Sequence, residues 1–427
     1  MSSNNILFKN VRLVHPEQGI SAPQDLLLQQ GKIASAAAPY DKDNTLVADI
    51  PNAHVSIGWM DVGVCVAEPG YEHRETLETA ARAARKGGFT AIAPLPDTYP
   101  AVHSKSEVAF VQYRTQGYGV RFFPLGAISQ DCAGKDLAEL YDMHHAGAVA
   151  FTDGMNGVQD AGLMLRALQY ATAFNGLIIS HPYHKNVAGG GQMHEGIVST
   201  ALGLKGIPAL AEHLMVQRDL SLLEYAGPAA RLHFHLISSE KSVEMIRAAK
   251  AAGLPVTASV AIANLCMTDE ALAMQDGGSP FDSYLKVMPP LRTRRDADAL
   301  LAGVSDGTID MICTNHTPWH EEAKNLEFTY AEFGMTGLET AFPLYQEYLS
   351  DRLPLTRWVD AVAFQPRRIL GIPIPGLNVG DVAELTLFQP DATWEYTPDI
   401  MASLSRNTPF AGRMMKGKAE GIMTNCS

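Results

Sequence analysis

The sequence has few cysteines, no long apolar run and no basic cluster, and each absence excludes a class of protein. Its 427 residues include five cysteines, an odd number with no CxxC pair, which argues against a disulfide framework and for a reducing compartment. No apolar run is long enough to span a bilayer, and the first residues lack the layout of a secretory signal. We therefore expect a cytoplasmic protein without a membrane partner.

The charge balance is acidic. The chain carries 33 basic and 46 acidic residues, a net charge of −13. A chain of this charge without a Lys/Arg cluster is not expected to bind nucleic acid through its phosphate backbone. Hydrophobic residues make up 46% and charged residues 19%, which is typical of a folded globular protein and not of a disordered one.

The middle of the chain alternates between short apolar runs and helix-like stretches. Eight candidate strands lie at residues 56–66, 89–95, 120–128, 148–152, 177–181, 231–237, 255–260 and 309–314. Helical spacing of apolar residues lies between them, at residues 73–86, 160–174, 239–252 and 296–304. This count of βα units predicts an α/β protein with a (β/α)8 barrel.

The two chain ends differ from the middle. Residues 6–13 and 25–33 alternate in polarity, with Gly31 at a hairpin turn, and residues 382–388 form another strand pattern before a long irregular tail. We expect both ends to pair into a small β-domain. The predicted domains are residues 1–52 and 376–427 for the β-domain and residues 53–375 for the barrel.

Several separated motifs occur along the chain, some of them after the strands, where barrel enzymes place their working residues. They are Glu68-Pro-Gly70 followed by Glu75-Thr76, Gly87-Gly-Phe-Thr90, Met193-His-Glu-Gly196, Pro289-Pro-Leu-Arg292, Gly337-Leu-Glu-Thr340 and Asn407-Thr-Pro-Phe-Ala-Gly412. In this order they resemble the dihydroorotase family, cyclic amidohydrolases of pyrimidine synthesis, over about residues 5–425. The resemblance implies a TIM barrel of the metal-dependent amidohydrolase type.

The resemblance also implies a zinc site, with a His-x-His pair on strand one, an acid on strand four, one histidine each on strands five and six, and a catalytic aspartate on strand eight. These positions are held here by Gly63 and Cys65, Asp153, His181, Leu236 and Asn315. Glycine and leucine cannot bind metal, and asparagine stays neutral where the aspartate would move a proton. The vestigial candidates for a metal are therefore Cys65, Asp153 and His181.

The expected substrate contacts are also lost. Ala67 stands at the arginine and Asp97 at the asparagine for the substrate carboxylate, and Met288 replaces a further asparagine. Ala263-Asn264 replaces a histidine pair after strand seven. Strand alternation predicts that His235 points away from where Leu236 points, so that it does not substitute for the lost ligand.

Three further features receive ordinary interpretations. His184 and His194 are expected to be surface-loop histidines. Ala188-Gly-Gly-Gly191 lacks the ending of a phosphate loop and is interpreted as a flexible barrel loop. His320-Glu-Glu-Ala-Lys324 lacks the second histidine of a zinc helix and is interpreted as a solvated helix start.

Two functions follow. In the first, no catalytic residue and no metal is expected, and the chain is a pseudo-dihydroorotase. The resemblance then implies a scaffold that assembles with aspartate transcarbamoylase, because inactive bacterial members have that role. In the second, the chain is an active zinc-dependent dihydroorotase or another cyclic amidohydrolase. A homo-oligomer is expected in either case.

Overall fold

The computed structural model describes residues 5–35, 38–273 and 280–424. Its strands are β1 (Asn5–His15), β2 (Gly19–Ile20), β3 (Gln24–Gln29), β4 (Lys32–Ala34), β5 (Thr45–Asp49), β6 (His54–Ile57), β7 (Trp59–Val64), β8 (Phe89–Pro94), β9 (Arg121–Phe122), β10 (Leu177–Ser180), β11 (Met193–His194), β12 (Gly206–Ile207), β13 (Arg231–Phe234), β14 (Val256–Ala261), β15 (Met311–Cys313), β16 (Leu385–Glu395) and β17 (Met414–Met423).

The α-helices lie between and after the central strands. They are α1 (Leu77–Lys86), α2 (Lys105–Arg114), α3 (Leu140–His145), α4 (Ala161–Ala171), α5 (Lys185–Ala188), α6 (Ile197–Leu202), α7 (Leu210–Ala226), α8 (Glu240–Ala251), α9 (Ile262–Cys266), α10 (Arg294–Asp306), α11 (Glu321–Lys324), α12 (Ala341–Tyr348), α13 (Leu355–Val359) and α14 (Gln365–Leu370). Among the helices of the described residues, none combines the length and the apolar character needed to cross a bilayer.

The central strands form a parallel barrel. β7, β8 and β9 pair in one run, and β10, β13, β14 and β15 pair in a second. Phe151 joins the two runs through parallel bridges to Gly126 and Ile178, so the fourth strand position is a single residue, bridged on both sides. The predicted (β/α)8 barrel is confirmed.

The barrel closes between its first and last strands through a side chain. The buried Asp61 carboxylate of β7 accepts a 2.9 Å hydrogen bond from the backbone N–H of Thr314, just past β15. The backbone N–H of Cys65 donates to the carbonyl of His316 at 3.0 Å. Burial raises the pKa of Asp61 to about 6, although the bonds from Thr314 favour its charged form.

Both chain ends build a second sheet, as predicted. Its strand order is β17-β16-β6-β1-β3-β4, with β2 and β5 also paired to β1. Gly31 has φ +74° at the β3–β4 hairpin, which confirms the predicted turn. The predicted irregular tail was wrong, since β17 pairs with β16 over most of its length. The domain boundaries themselves stay predictions.

The single strand predicted at residues 56–66 is two strands. β6 pairs with β1 and β16 in the end sheet, whereas β7 enters the barrel. The chain passes between the sheets at Gly58, where a Cβ would lie 2.0 Å from Thr90 Oγ1. The buried Arg367 joins the two sheets because it donates to the Gly58 carbonyl and pairs with Glu384, the residue before β16.

Candidate active site

The residues predicted from strand positions lie at one end of the barrel. Cys65 follows β7, Asp97 follows β8, His181 follows β10 and Asn315 follows β15. The carboxyl ends of parallel barrel strands form one face, which is where barrel enzymes hold their active sites. This face is called the barrel mouth below.

His235 reaches the place that strand one leaves empty. A Cβ on Gly63 would lie 2.2 Å from Nε2 of His235, and Gly63 has φ +81°. The prediction from strand alternation was that His235 points away from where Leu236 points. The structure places the His235 ring against Gly63, one residue after β13 ends at Phe234. His235 and Leu236 are both buried, and Leu236 packs in the cluster that contains Met60 and Val62.

His181 is a buried imidazole at the mouth, and its burial favours the neutral form of the ring. Its Nδ1 lies 2.9 Å from the carbonyl oxygen of His235, and burial lowers the pKa of its ring. Its Nε2 has no hydrogen-bond partner among the described residues, and neither has Nε2 of His235. A neutral imidazole nitrogen is a good metal ligand, so each of these two atoms could bind a metal ion.

Asp153 is already engaged by the protein. One carboxylate oxygen accepts from the backbone N–H of Ser129 at 2.8 Å and the other from its hydroxyl at 2.5 Å. Burial raises the pKa of Asp153, and the bonds from Ser129 oppose that rise. These bonds hold both oxygens of the candidate ligand in an internal contact.

Cys65 lies beside a cation. Nη2 of Arg74 is 3.6 Å from the Cys65 sulfur, and the guanidinium lies 3.6 Å from the ring centre of Trp319. Burial raises the pKa of the thiol to about 12, so the thiolate that a metal needs is disfavoured at neutral pH. Arg74 therefore occupies the space between Cys65 and Trp319.

The lost substrate positions make contacts with the chain itself. Asn315 donates from Nδ2 to the Met288 carbonyl at 3.0 Å, and both Asn315 and Ala67 have left-handed backbones with φ +53° and +60°. A Cβ on Gly154 would lie 2.5 Å from Cγ of Asp97. Burial raises the pKa of Asp97. Ala263-Asn264 stands where the family resemblance implies a histidine pair, and Asn264 donates to the Pro290 carbonyl at 2.9 Å.

The mouth does not fit the family's zinc. Within residues 5–35, 38–273 and 280–424, no three His, Cys, Asp or Glu side chains are grouped so that they could hold a metal ion. A catalytic zinc site uses about three protein ligands and a water. The pocket that His181, Met288 and Arg292 line has a volume of about 10 Å³, which is room for a single water molecule.

The two histidines that were expected on surface loops, His184 and His194, have different surroundings. His184 is half-buried, and its Nδ1 accepts from the backbone N–H of Val187 at the start of α5. The surface interpretation of His194 was wrong, because it is buried with Nδ1 3.1 Å from Nη1 of Arg292. Burial and Arg292 lower the pKa of His194 to about 4. Sequence reasoning missed this pair, although each residue lies in a quoted motif.

The quoted motifs attach the last part of the chain to the barrel mouth. Glu75 accepts from the backbone N–H of Leu404, and Glu339 accepts from that of Ala402 at 3.0 Å. Asn407 accepts from the Trp319 N–H and donates to the Thr317 carbonyl, both at 3.0 Å. These motifs therefore have structural roles that need no metal.

The barrel resembles solved structures of hydantoinases. L-hydantoinase (dihydropyrimidinase) from Arthrobacter aurescens matches with a TM-score of 0.83 at 25% identity, over 98% of this chain and 94% of that one. D-hydantoinase from Thermus sp. matches with a TM-score of 0.78 at 20% identity, over 99% and 94% of the two chains. The fold thus defines the class, a TIM barrel of the amidohydrolase type with a β-domain from both chain ends.

The sequence comparisons narrow the class to a family. Residues 54–242 match the family described as dihydro-orotase-like. The chain is 43% identical to the dihydroorotase of Pelotomaculum thermopropionicum, over 96% of this chain and 95% of that protein. It is 40% identical to the dihydroorotase of Syntrophus aciditrophicus, over 98% and 97%. The chain belongs to the dihydroorotase family.

Proposed function

We propose that this chain is a non-catalytic member of the dihydroorotase family. The state of the candidate ligands carries the proposal: both Asp153 oxygens accept hydrogen bonds from Ser129, Arg74 lies at the Cys65 sulfur, and of the candidates at the mouth His181 Nε2, with the neighbouring His235 Nε2, has no hydrogen-bond partner among the described residues. Two donors fall short of the three that a catalytic zinc requires.

An active zinc-dependent dihydroorotase or other cyclic amidohydrolase is the second candidate. It is favoured by the unpartnered Nε2 atoms of His181 and His235, and by relatives at 36–43% identity that carry the name dihydroorotase. It requires a third ligand, which Cys65 or Asp153 would supply only after losing its present contact. Zinc would then supply an acidified water, but Asn315 is a neutral amide and could not accept a proton from that water.

Dihydroorotate hydrolysis separates these candidates. We expect no turnover above a metal-free control when zinc is supplied to the purified chain, and less than one bound zinc per chain by elemental analysis. The Asn315→Asp variant is expected to remain inactive, because the missing ligands are not restored with the aspartate. Zinc-dependent turnover by the unaltered chain would instead establish the second candidate.

We further propose that the chain assembles with aspartate transcarbamoylase, a role that the family resemblance supports. We expect the two proteins, produced together, to elute as one species in size-exclusion chromatography, larger than either alone. The chain by itself is expected to elute as a homo-oligomer. Separate elution of the two proteins at micromolar concentration would contradict the scaffold role.

A further inference from the structure

A cavity lies between the end sheet and the segment of residues 374–378, which follows α14 closely. It has a volume of about 430 Å³, which is in the range of small-molecule sites. Residues of the β1–β2 hairpin line it together with Ile57 of β6 and Phe364. None of the candidate metal ligands of the barrel mouth lines it. The cavity is called the hairpin pocket below.

Part of the wall of the hairpin pocket is apolar and aromatic. Ile57 and Phe364 are buried, and Leu13 and Leu377 are half-buried beside them. The Phe364 ring packs edge-on against the imidazole of His15, with 5.1 Å between the ring centres. Aromatic side chains pack well against other rings, so this wall favours a flat, ring-shaped ligand.

The hairpin pocket has no charged wall. Among the described residues, no Asp, Glu, Lys or Arg side chain lines it. The Arg368 guanidinium lies 5.8 Å from the ring centre of Phe364, but it is outside the lining and pairs with Glu17 and Asp360, at 3.6 and 3.5 Å. An ion in the pocket would lose hydration without gaining a counter-charge, so the lining favours an uncharged ligand.

The polar side chains of the hairpin pocket are available to a ligand. The carboxamides of Gln18 and Asn378 are exposed, and neither has a hydrogen-bond partner within residues 5–35, 38–273 and 280–424. Nδ1 of His15 accepts from the backbone N–H of Glu17 at 3.2 Å, which leaves Nε2 of that ring as a donor. These three side chains place neutral donors and acceptors beside the apolar wall.

The backbone of residues 374–378 adds further donors. Gly376 and Leu377 line the pocket and are half-buried, and their N–H groups have no acceptor in the part of the chain that the structure describes. Backbone donors in such places ordinarily bond to protein or to water. A ligand with acceptor atoms can take the place of that water.

We propose that the hairpin pocket binds a small uncharged heteroaromatic compound with a hydrogen-bond donor and an acceptor on one edge, a chemistry that nucleobases and pyridine carboxamides share. The ring packs against Phe364, and the carboxamides of Gln18 and Asn378 bond to the polar edge. A carboxamide holds a donor and an acceptor side by side, which matches such an edge in a bidentate arrangement. The proposal is independent of whether the barrel mouth is catalytic.

Saturation-transfer NMR titrations at pH 8 test the proposal with adenine, nicotinamide and nicotinate. We expect adenine, nicotinamide or both to bind with millimolar affinity, which is ordinary for compounds of about ten heavy atoms. Nicotinate has the ring of nicotinamide but carries a carboxylate. It is expected to bind at least about tenfold more weakly than the neutral compound that binds, because the pocket offers no counter-charge.

Two variants connect this binding to the hairpin pocket. The double variant Gln18→Ala/Asn378→Ala is expected to bind about fivefold more weakly, since it removes the neutral donors and acceptors but no contact within the described protein. Ile374→Trp enlarges a partly exposed lining residue and is expected to weaken binding at least about tenfold by filling the pocket. The matched control is Gln217→Ala, an exposed glutamine on α7, with an expected change of less than about twofold.

Binding of adenine alone or of nicotinamide alone supports the proposal and identifies the edge that is recognised. Absence of binding by both compounds up to their solubility limits would overturn it. Nicotinate that binds as tightly as the better neutral compound would also overturn it. The same holds if the double variant and the Gln217→Ala variant bind equally well, because the contacts would then lie outside the hairpin pocket.

Discussion

Replacement of Gly63 by alanine is expected to destabilise the protein by about 3 kcal/mol. The added Cβ would lie 2.2 Å from Nε2 of His235. Because this ring is buried, moving it away from the Cβ would disturb the side chains packed around it. The backbone at this position also has φ +81°, where a side chain costs about 1–2 kcal/mol. Urea denaturation of the variant at 25 °C and neutral pH measures the difference in the free energy of unfolding.

A second site separates these two causes. In a His235→Ala background, Gly63→Ala is expected to cost about 1–2 kcal/mol less, because the collision is removed and only the backbone strain remains. The matched control is Gly421→Ala on β17, where a Cβ meets nothing within 4 Å and φ is not positive. If Gly63→Ala were as mild as Gly421→Ala, His235 would not occupy the place described for it.

The Glu212→Ala variant is expected to lose about 3–5 kcal/mol of stability. The carboxylate is buried and accepts hydrogen bonds from Ser238, Ser239 and Ser242, including the Ser239 hydroxyl at 2.7 Å. It also lies 3.5 Å from Nη2 of the buried Arg292. Removing it leaves a buried cation and several donors without an acceptor. The Pro-Pro-Leu-Arg motif depends on this carboxylate for its position.

The matched control and the pH dependence sharpen this prediction. Glu244→Ala removes a carboxylate that is 51% exposed and paired with Lys241, and is expected to leave the stability nearly unchanged. Burial alone would raise the pKa of Glu212, but Arg292 and the serines outweigh it and lower the pKa below its ordinary 4.5. Glu212 therefore stabilises the fold above pH 4.5, and this contribution is lost as the pH falls through the lower pKa.

In denaturation experiments, the stability difference between the unaltered protein and Glu212→Gln is expected to be full at pH 7. It should shrink on acidification below pH 4.5, because protonation removes the charge that the variant lacks. A difference that grows toward acid pH would show that Glu212 is not held as an ionised group.

The sequence was sufficient for the barrel and for the family, whereas the losses at the mouth stay a prediction. Alternation of apolar runs with helical patterns depends on local periodicity, and the absence of a donor at Gly63 or Leu236 follows from residue chemistry alone. The family-like motifs could also be found in the sequence, but the contacts that they form could not be predicted from it. Glu75, Glu339 and Asn407 form contacts with residues 317–319 and 402–404 that are distant in the chain.

The tertiary structure decided which atoms meet. Strand alternation predicted that His235 points away from where Leu236 points, and only the tertiary structure shows that its ring lies against Gly63. Residues 320–324 were predicted to be a solvated helix start, but tertiary packing buries Lys324 beside a cavity. The spacing of apolar residues along the chain predicts which side chains are buried in regular elements, because it depends only on neighbours in the sequence. The contacts of His181 with His235 and of Asp61 with Thr314 join residues 54 and 253 positions apart, and only the closed barrel sets those distances.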